Sequence, residues 1–128
     1  MRLLVDTCTF LWLAADAREL SAAARAACVD PDNEVFLSAI SAWEIAIKYR
    51  LARLTLPEPP QVYVPSRRAW LRLDRLDFDE AAAAHTHLLP EHHRDPFDRA
   101  LVAQAIIGGL TIVTPDPLLT VYPAPTLW

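Results

Sequence analysis

Short apolar runs alternate along the chain with amphipathic stretches, and the pattern predicts strands that each lead into helices. RLLVD (2–6) is an apolar run closed by an acid, suited to a strand buried on both faces. TCTFLWLAA continues as helix, with Asp6 or Thr7 as its cap. SAAARAACVD (21–30) is an alanine-rich helix capped by Ser21, DPDN turns the chain, and EVFLS (34–38) predicts a second strand. SAWEIAIKYRLARL predicts a helix in which Ser41 caps and Glu44, three residues on, completes a capping box; LPEPP stops it. QVYVPSRRAW is ambiguous because Pro65 restricts it, LRLDRLDF holds a candidate third strand, and DEAAAAHTHLL predicts a helix from about Asp79. A further helix covers roughly 96–107 and ends at Gly108-Gly109. LTIVT (110–114) is a strand, PLLTVY is short and mixed, and the tail PAPTLW offers an edge strand.

Strands that alternate with helices imply an α/β sandwich on a mostly parallel sheet. Ligands of such sheets gather at the carboxyl ends of the strands. Two acids fall at that edge: Asp6 closes the first strand and Asp116 follows the last clear one.

The bulk numbers narrow the class. A chain of 128 residues fits one domain over 1–128, and 53% hydrophobic against 22% charged residues excludes a disordered chain. Two glycines and eleven prolines exclude a flexible low-complexity chain, and no repeat is visible. No apolar run approaches the ~20 residues of a membrane span. Asp6 interrupts the apolar start and no clean cleavage site follows, so a secretion signal is not expected and the cytoplasm is. Cys8 and Cys28 are too few for a disulfide framework. A net charge of −4 argues against holding nucleic acid by bulk electrostatics, though not against reaching phosphates through bound cations.

The acids carry the candidate chemistry. Successive helical residues turn by about 100°. On that wheel Ile40, Trp43, Ile47, Leu51 and Leu54 form one apolar stripe, and Glu44 lies at its edge. Asp98 projects between Val102 and Ala105, inside the stripe of its own helix, with Asp95 on the same side. Each acid has an ordinary explanation: a cap for Asp6, a capping box for Glu44, a helix-start charge for Asp95 and Asp98, turn chemistry for Asp116. The set is harder to explain that way. Two acids stand at strand ends and two project from helix faces that pack on the sheet. Converging carboxylates repel unless cations intervene. Lys48, one turn after Glu44, and Arg99, next to Asp98, neutralise part of the charge. A hard divalent cation, Mg²⁺ or Mn²⁺, neutralises more, with water and a substrate phosphate completing its shell. Such a site suits phosphodiester hydrolysis. Thr7, Ser41 and Thr114 stand beside the acids to orient carboxylates or hold water, although capping explains Ser41 well.

LLVDTCTFLWL, SAISAWEIAIKYRLARLTLP, LLPEHHRDPFDRALVAQA and LTIVTPDPLLTVY, in this order, resemble the successive motifs of PIN-domain proteins, specifically VapC-type toxins of bacterial toxin–antitoxin pairs. The resemblance implies an α/β/α sandwich with a central parallel sheet. It also implies Mg²⁺- or Mn²⁺-dependent endoribonuclease activity, commonly on tRNA or ribosomal RNA, a homodimer, and silencing by a VapB-type antitoxin. It assigns the catalytic and metal-binding positions to Asp6, Glu44, Asp98 and Asp116. Asp95, Thr7, Ser41, Thr114 and Arg99 are expected to support them or touch substrate. Cys8 stands where this subfamily often has histidine, and YRLARL lacks the glycine often found before its final leucine. The competing expectation is a PIN-like module that binds RNA or protein without cutting.

The four histidines lie in HTHLLPEHH, but on a helix His85 and His87 point to nearly opposite sides and neither cysteine is near in sequence, so zinc is not expected. His92 and His93 are candidates to touch RNA near Asp95. The basic residues are scattered over the chain. Arg67-Arg68 with Trp70 offers a weak flank for an RNA groove, while Tyr63, Trp70 and Trp12 suit the core or a dimer face.

Overall fold

The computed structural model describes residues 1–91 and 95–128. Among the described residues five strands form one wholly parallel sheet in the order β3-β2-β1-β4-β5: β1 (Arg2–Val5), β2 (Glu34–Ser38), β3 (Asp74–Leu76), β4 (Thr111–Val113) and β5 (Thr126–Leu127). Helices α1 (Thr7–Ala15) and α2 (Ala22–Val29) join β1 to β2. Helices α3 (Ala39–Arg50) and α4 (Pro60–Trp70) join β2 to β3. Helices α5 (Glu80–His85) and α6 (Pro96–Gly108) lie between β3 and β4. Among the described residues no helix is long and apolar enough to cross a membrane.

Alternate residues of each strand feed two separate cores, which makes the sheet the middle layer of an α/β/α sandwich. Leu3, Val5, Val35, Leu37 and Val113 pack with Phe10, Leu13, Ala24, Ile45, Tyr63 and Val64 on one face. Leu4 and Ile112 pack with Ile40, Leu101, Val102, Ala105, Leu119 and Tyr122 on the other. Both faces of β1 are therefore dry, which is why its sequence reads as an unbroken apolar run.

Two junctions without loops position everything that follows. Asp6 alone separates β1 from α1; its carboxylate accepts from the Thr9 amide at 2.9 Å and its own amide donates to the Val113 carbonyl at 3.2 Å. Ser38, the last residue of β2, is itself the N-cap of α3, its hydroxyl accepting from the Ile40 amide at 3.0 Å. This corrects the expectation that Ser41 caps the helix. α3 starts earlier, Ser41 is fully buried inside it, and Glu44 lies in its second turn, so no capping box forms. The buried face correspondingly runs Ile40, Ser41, Glu44, Ile45, rotated from the expected stripe, and Trp43 is 59% exposed, edge-on to Phe97. The Ser38 hydroxyl also donates to Gln104 Oε1, whose amide nitrogen donates to the Asp77 carbonyl at 3.2 Å. That pair ties β2, α6 and the segment after β3 together.

The ambiguous 60–70 segment is helical. Pro60 occupies its first turn, where the missing N–H is harmless, and Pro65 lies on its exposed side, where the carbonyl it leaves unpaired can reach water. Beyond α3 the chain reverses at Ala52, whose φ of 57° is left-handed. A β-carbon is disfavoured there, and glycine would adopt that conformation without strain. Ala52→Gly is accordingly expected to stabilise the protein by roughly 0.5–1 kcal/mol, read as a melting temperature higher by about 2–4 °C. An unchanged or lower value would show that Ala52 bears no strain.

Candidate functional site

Strands β1, β2 and β3 progress one way across the sheet from β1, while β4 and β5 lie on its other side. Between β1 and β4 the connections diverge, and a crevice opens at the carboxyl ends, the usual ligand position of such sheets. A pocket of about 350 Å³ occupies it, lined by Asp6, Thr7, Cys8, Leu11, Glu44, Lys48, Arg53, Leu54, Asp95, Asp98 and Asp116. The four acids expected to converge thus share one concavity, and Asp95 joins them. Asp6 and Glu44 are buried; Asp95, Asp98 and Asp116 are half-buried.

Local structure places each acid. Asp6 arrives on the junction described above. Asp95 is the N-cap of α6, accepting from the Phe97 amide at 2.9 Å, and Pro96 starts the helix after it. Asp98 lies in the first turn of α6, where the helix dipole favours a negative charge. Asp116 caps a short 3₁₀ turn, Pro117–Leu119, by accepting from the Leu118 amide at 2.9 Å, and its own amide donates to Thr114 Oγ1 at 3.1 Å. The everyday helix and turn chemistry of these acids holds, and it aims them at one place.

Glu44 is the most heavily engaged. Its Oε1 lies 2.6 Å from Thr7 Oγ1, which lies 3.0 Å from Ser41 Oγ. A hydroxyl has one proton, so Thr7 donates to the carboxylate and Ser41 donates to Thr7. Its Oε2 accepts from Lys48 Nζ at 2.6 Å. The Lys48 ammonium is held above the usual lysine range chiefly by this bond, against partial burial, with Asp95 and Asp98 adding to the pull. Cys8 Sγ sits 3.3 Å from Asp6 Oδ1, and burial and the Asp6 charge push the thiol up to about 12. Cys8 therefore stays protonated and donates to Asp6; it is not a thiolate.

The supporting residues separate into those in the pocket and those behind it. Thr7 lines the pocket, whereas Ser41 and Thr114 are buried behind it and act through Thr7 and the Asp116 turn. Arg99 does not line the pocket. Its guanidinium donates to the carbonyls of Pro90 (2.8 Å), Thr86 (2.9 Å) and Leu89 (3.4 Å) and reaches Tyr122 Oη at 3.4 Å. It fastens α6 to the segment leading toward Asp95, a role that sequence proximity to Asp98 disguised. Sequence reasoning missed Cys8, Leu11 and Arg53 as pocket residues; the signal for Arg53 was its place just after a helix end. His92 and His93 lie outside the described residues. His85 and His87 do not line the pocket. Tyr63 is core, with the Arg67 guanidinium 5.3 Å from its ring centre; Trp70 is exposed, and Trp12 packs tilted against Trp128 with ring centres 5.8 Å apart.

The donor set fits a hard cation. Every acid presents oxygen, five carboxylates face two basic residues, and the pocket leaves room for water. Among the described residues no three His, Cys, Asp or Glu side chains stand close enough to clasp a bare ion. Mg²⁺ commonly takes only one or two carboxylates and keeps several waters, so a looser ring suits it.

The PIN domain family model matches residues 3–123, and the chain belongs to that family. Over 73 residues it is 48% identical to Ribonuclease VapC16 of Mycobacterium tuberculosis (strain ATCC 25618 / H37Rv), a stretch that makes up 57% of this chain and 50% of that protein. The match thus spans about half the length of that relative. The fold is shared with the crystal structure of VapBC2 from Rickettsia felis bound to a DNA fragment from their promoter, at a TM-score of 0.74 and 16% identity over 99% of this chain and 98% of that one. VapBC-1 from nontypeable Haemophilus influenzae aligns at a TM-score of 0.66 and 14% identity, over 99% and 97% of the two chains. FitAcB from Neisseria gonorrhoeae aligns at 0.56 and 18%, over 98% and 96%.

Removing the Arg99 anchor strands several carbonyls at once. Arg99→Met is expected to cost about 1–3 kcal/mol, and Arg99→Lys to recover little, because an ammonium cannot span the same fork of acceptors. Urea denaturation measures both; a neutral Arg99→Met would mean the contacts bear no load.

Proposed function

We propose that the chain is a Mg²⁺- or Mn²⁺-dependent endoribonuclease, the toxin of a VapBC-type pair, which acts in the cytoplasm on structured RNA such as tRNA or rRNA. The observation that carries this reading is the gathering of Asp6, Glu44, Asp98 and Asp116 in one crevice at the carboxyl edge of the sheet. The identity to a protein named a ribonuclease supports the activity. The likeness to proteins solved as VapBC and FitAcB supports the expectation of a homodimer silenced by a VapB-type antitoxin.

Asp6, Glu44, Asp98 and Asp116 would hold the ion, with Glu44 oriented by Thr7 and Lys48. The ion would supply a water of lowered pKa and neutralise charge growing on the phosphoryl oxygens. Thr7 fixes the Glu44 carboxylate so that it can accept a proton or a water hydrogen bond. Lys48 and Arg53 draw the RNA phosphate toward a pocket whose acids would otherwise repel it.

Cleavage of RNA by wild type and Asp98→Asn in Mn²⁺ tests the reading. The variant is expected to lose activity by roughly a hundredfold or more while its metal-free melting temperature holds or rises, since one repelling charge is gone. Equal cleavage would remove Asp98 from the mechanism, and a large loss of metal-free stability would make it structural. A non-catalytic RNA- or protein-binding module is the competing reading, favoured by the absence, among the described residues, of a tight three-ligand cluster. It requires that pure wild-type protein cut nothing in either metal.

A further inference from the structure

Lys48 sits four residues after Glu44 on α3, a spacing that on most helices makes a solvated surface pair of little consequence. Two features set this pair apart. The Glu44 side chain is only 9% exposed, and its other oxygen is bonded by the buried Thr7 hydroxyl, so the carboxylate cannot swing into water. The Lys48 side chain is half exposed, and its ammonium lines the same pocket as Asp6, Asp95, Asp98 and Asp116. Arg53 is the other basic residue lining it, and among the described residues no side-chain ion pair joins Arg53 to any of the acids.

We propose that Lys48 is the pocket's resident counter-ion: its ammonium holds Glu44 and offsets the surrounding carboxylates in the metal-free chain, and so competes with a divalent cation and sets how tightly that cation is held. The proposal rests on the metal-dependent reading above and concerns this chain's own charge balance. A fixed positive charge close to a cation site opposes the cation, whereas its removal leaves the same oxygens with more negative potential. The same residue therefore protects the empty pocket from self-repulsion and weakens the filled one. Bound Mn²⁺ would take over the task that Lys48 performs without it.

The test compares wild type, Lys48→Met, Lys48→Arg and the double variant Lys48→Met/Glu44→Gln. Each is titrated with MnCl₂ by calorimetry and melted with and without the ion, at low salt. Lys48→Met is expected to melt lower without metal and to bind Mn²⁺ on the order of tenfold tighter, the size of effect one unit charge has on a divalent ion about 6 Å away in a water-like medium. Lys48→Arg is expected to stay near wild type, and the double variant to regain metal-free stability. Lys48→Gln stands in should Lys48→Met fail to fold. Mn²⁺ binding that is unchanged or weaker in Lys48→Met, in a wild type that does bind, overturns the proposal and leaves the metal reading intact. Binding that appears only once Lys48 is removed supports the proposal and overturns metal dependence of the wild type. Binding by neither overturns both.

Discussion

A carboxylate on the packed face of a helix needs a partner for each oxygen, or folding leaves a charge buried and unsatisfied. Glu44 meets that demand from two directions. Thr7 reaches it across the gap between α1 and α3, and Lys48 reaches it along its own helix. The cross-helix bond exists only because both helices leave adjacent parallel strands with almost no loop. Asp6 is a one-residue junction, and Ser38 serves as strand end and helix cap at once. Lengthening either junction by a residue would rotate its helix by about 100° and carry the partner away.

The same economy of connection concentrates charge. The divergence of chain paths beside β1 leaves a crevice that helices cannot fill, and the acids that cap α1, α6 and the turn after β4 are delivered to its rim by their own capping bonds. Each cap is locally favourable; their proximity is not, since five carboxylates meet two cations. A fold that keeps such a conflict at its ligand crevice departs from the consistency seen elsewhere in the chain, and departures of this kind mark functional sites. All five acids lie within the stretch that the PIN family model matches, residues 3–123.

Much of this is legible in the sequence. The buried strands announced themselves as unbroken apolar runs, Gly109 ended α6 in the left-handed conformation expected of it, and the alternation of elements implied the layered parallel sheet. The acids were singled out because each bordered an apolar stripe or closed a strand. What misled was local ambiguity. Ser38 and Ser41 both precede helical sequence, and only the β2–α3 junction decides that Ser38 is the cap. Trp43 fits an apolar stripe by period, yet the face rotates toward Ser41 and Glu44 because Thr7 is there to bond them. Pro65 obscured α4, since sequence does not say that its missing N–H faces solvent. Arg99 adjoins Asp98 in sequence, but its guanidinium reaches the carbonyls of residues 86–90, a contact that depends wholly on tertiary placement.

Crystals grown with MnCl₂ and measured at the manganese absorption edge would locate a bound ion directly. An anomalous peak inside the crevice, within bonding reach of oxygens from at least two of Asp6, Asp98 and Asp116, is the expected result. A fully ordered pocket with no peak, or manganese bound only elsewhere on the surface, would contradict the idea that these carboxylates are gathered to hold a cation.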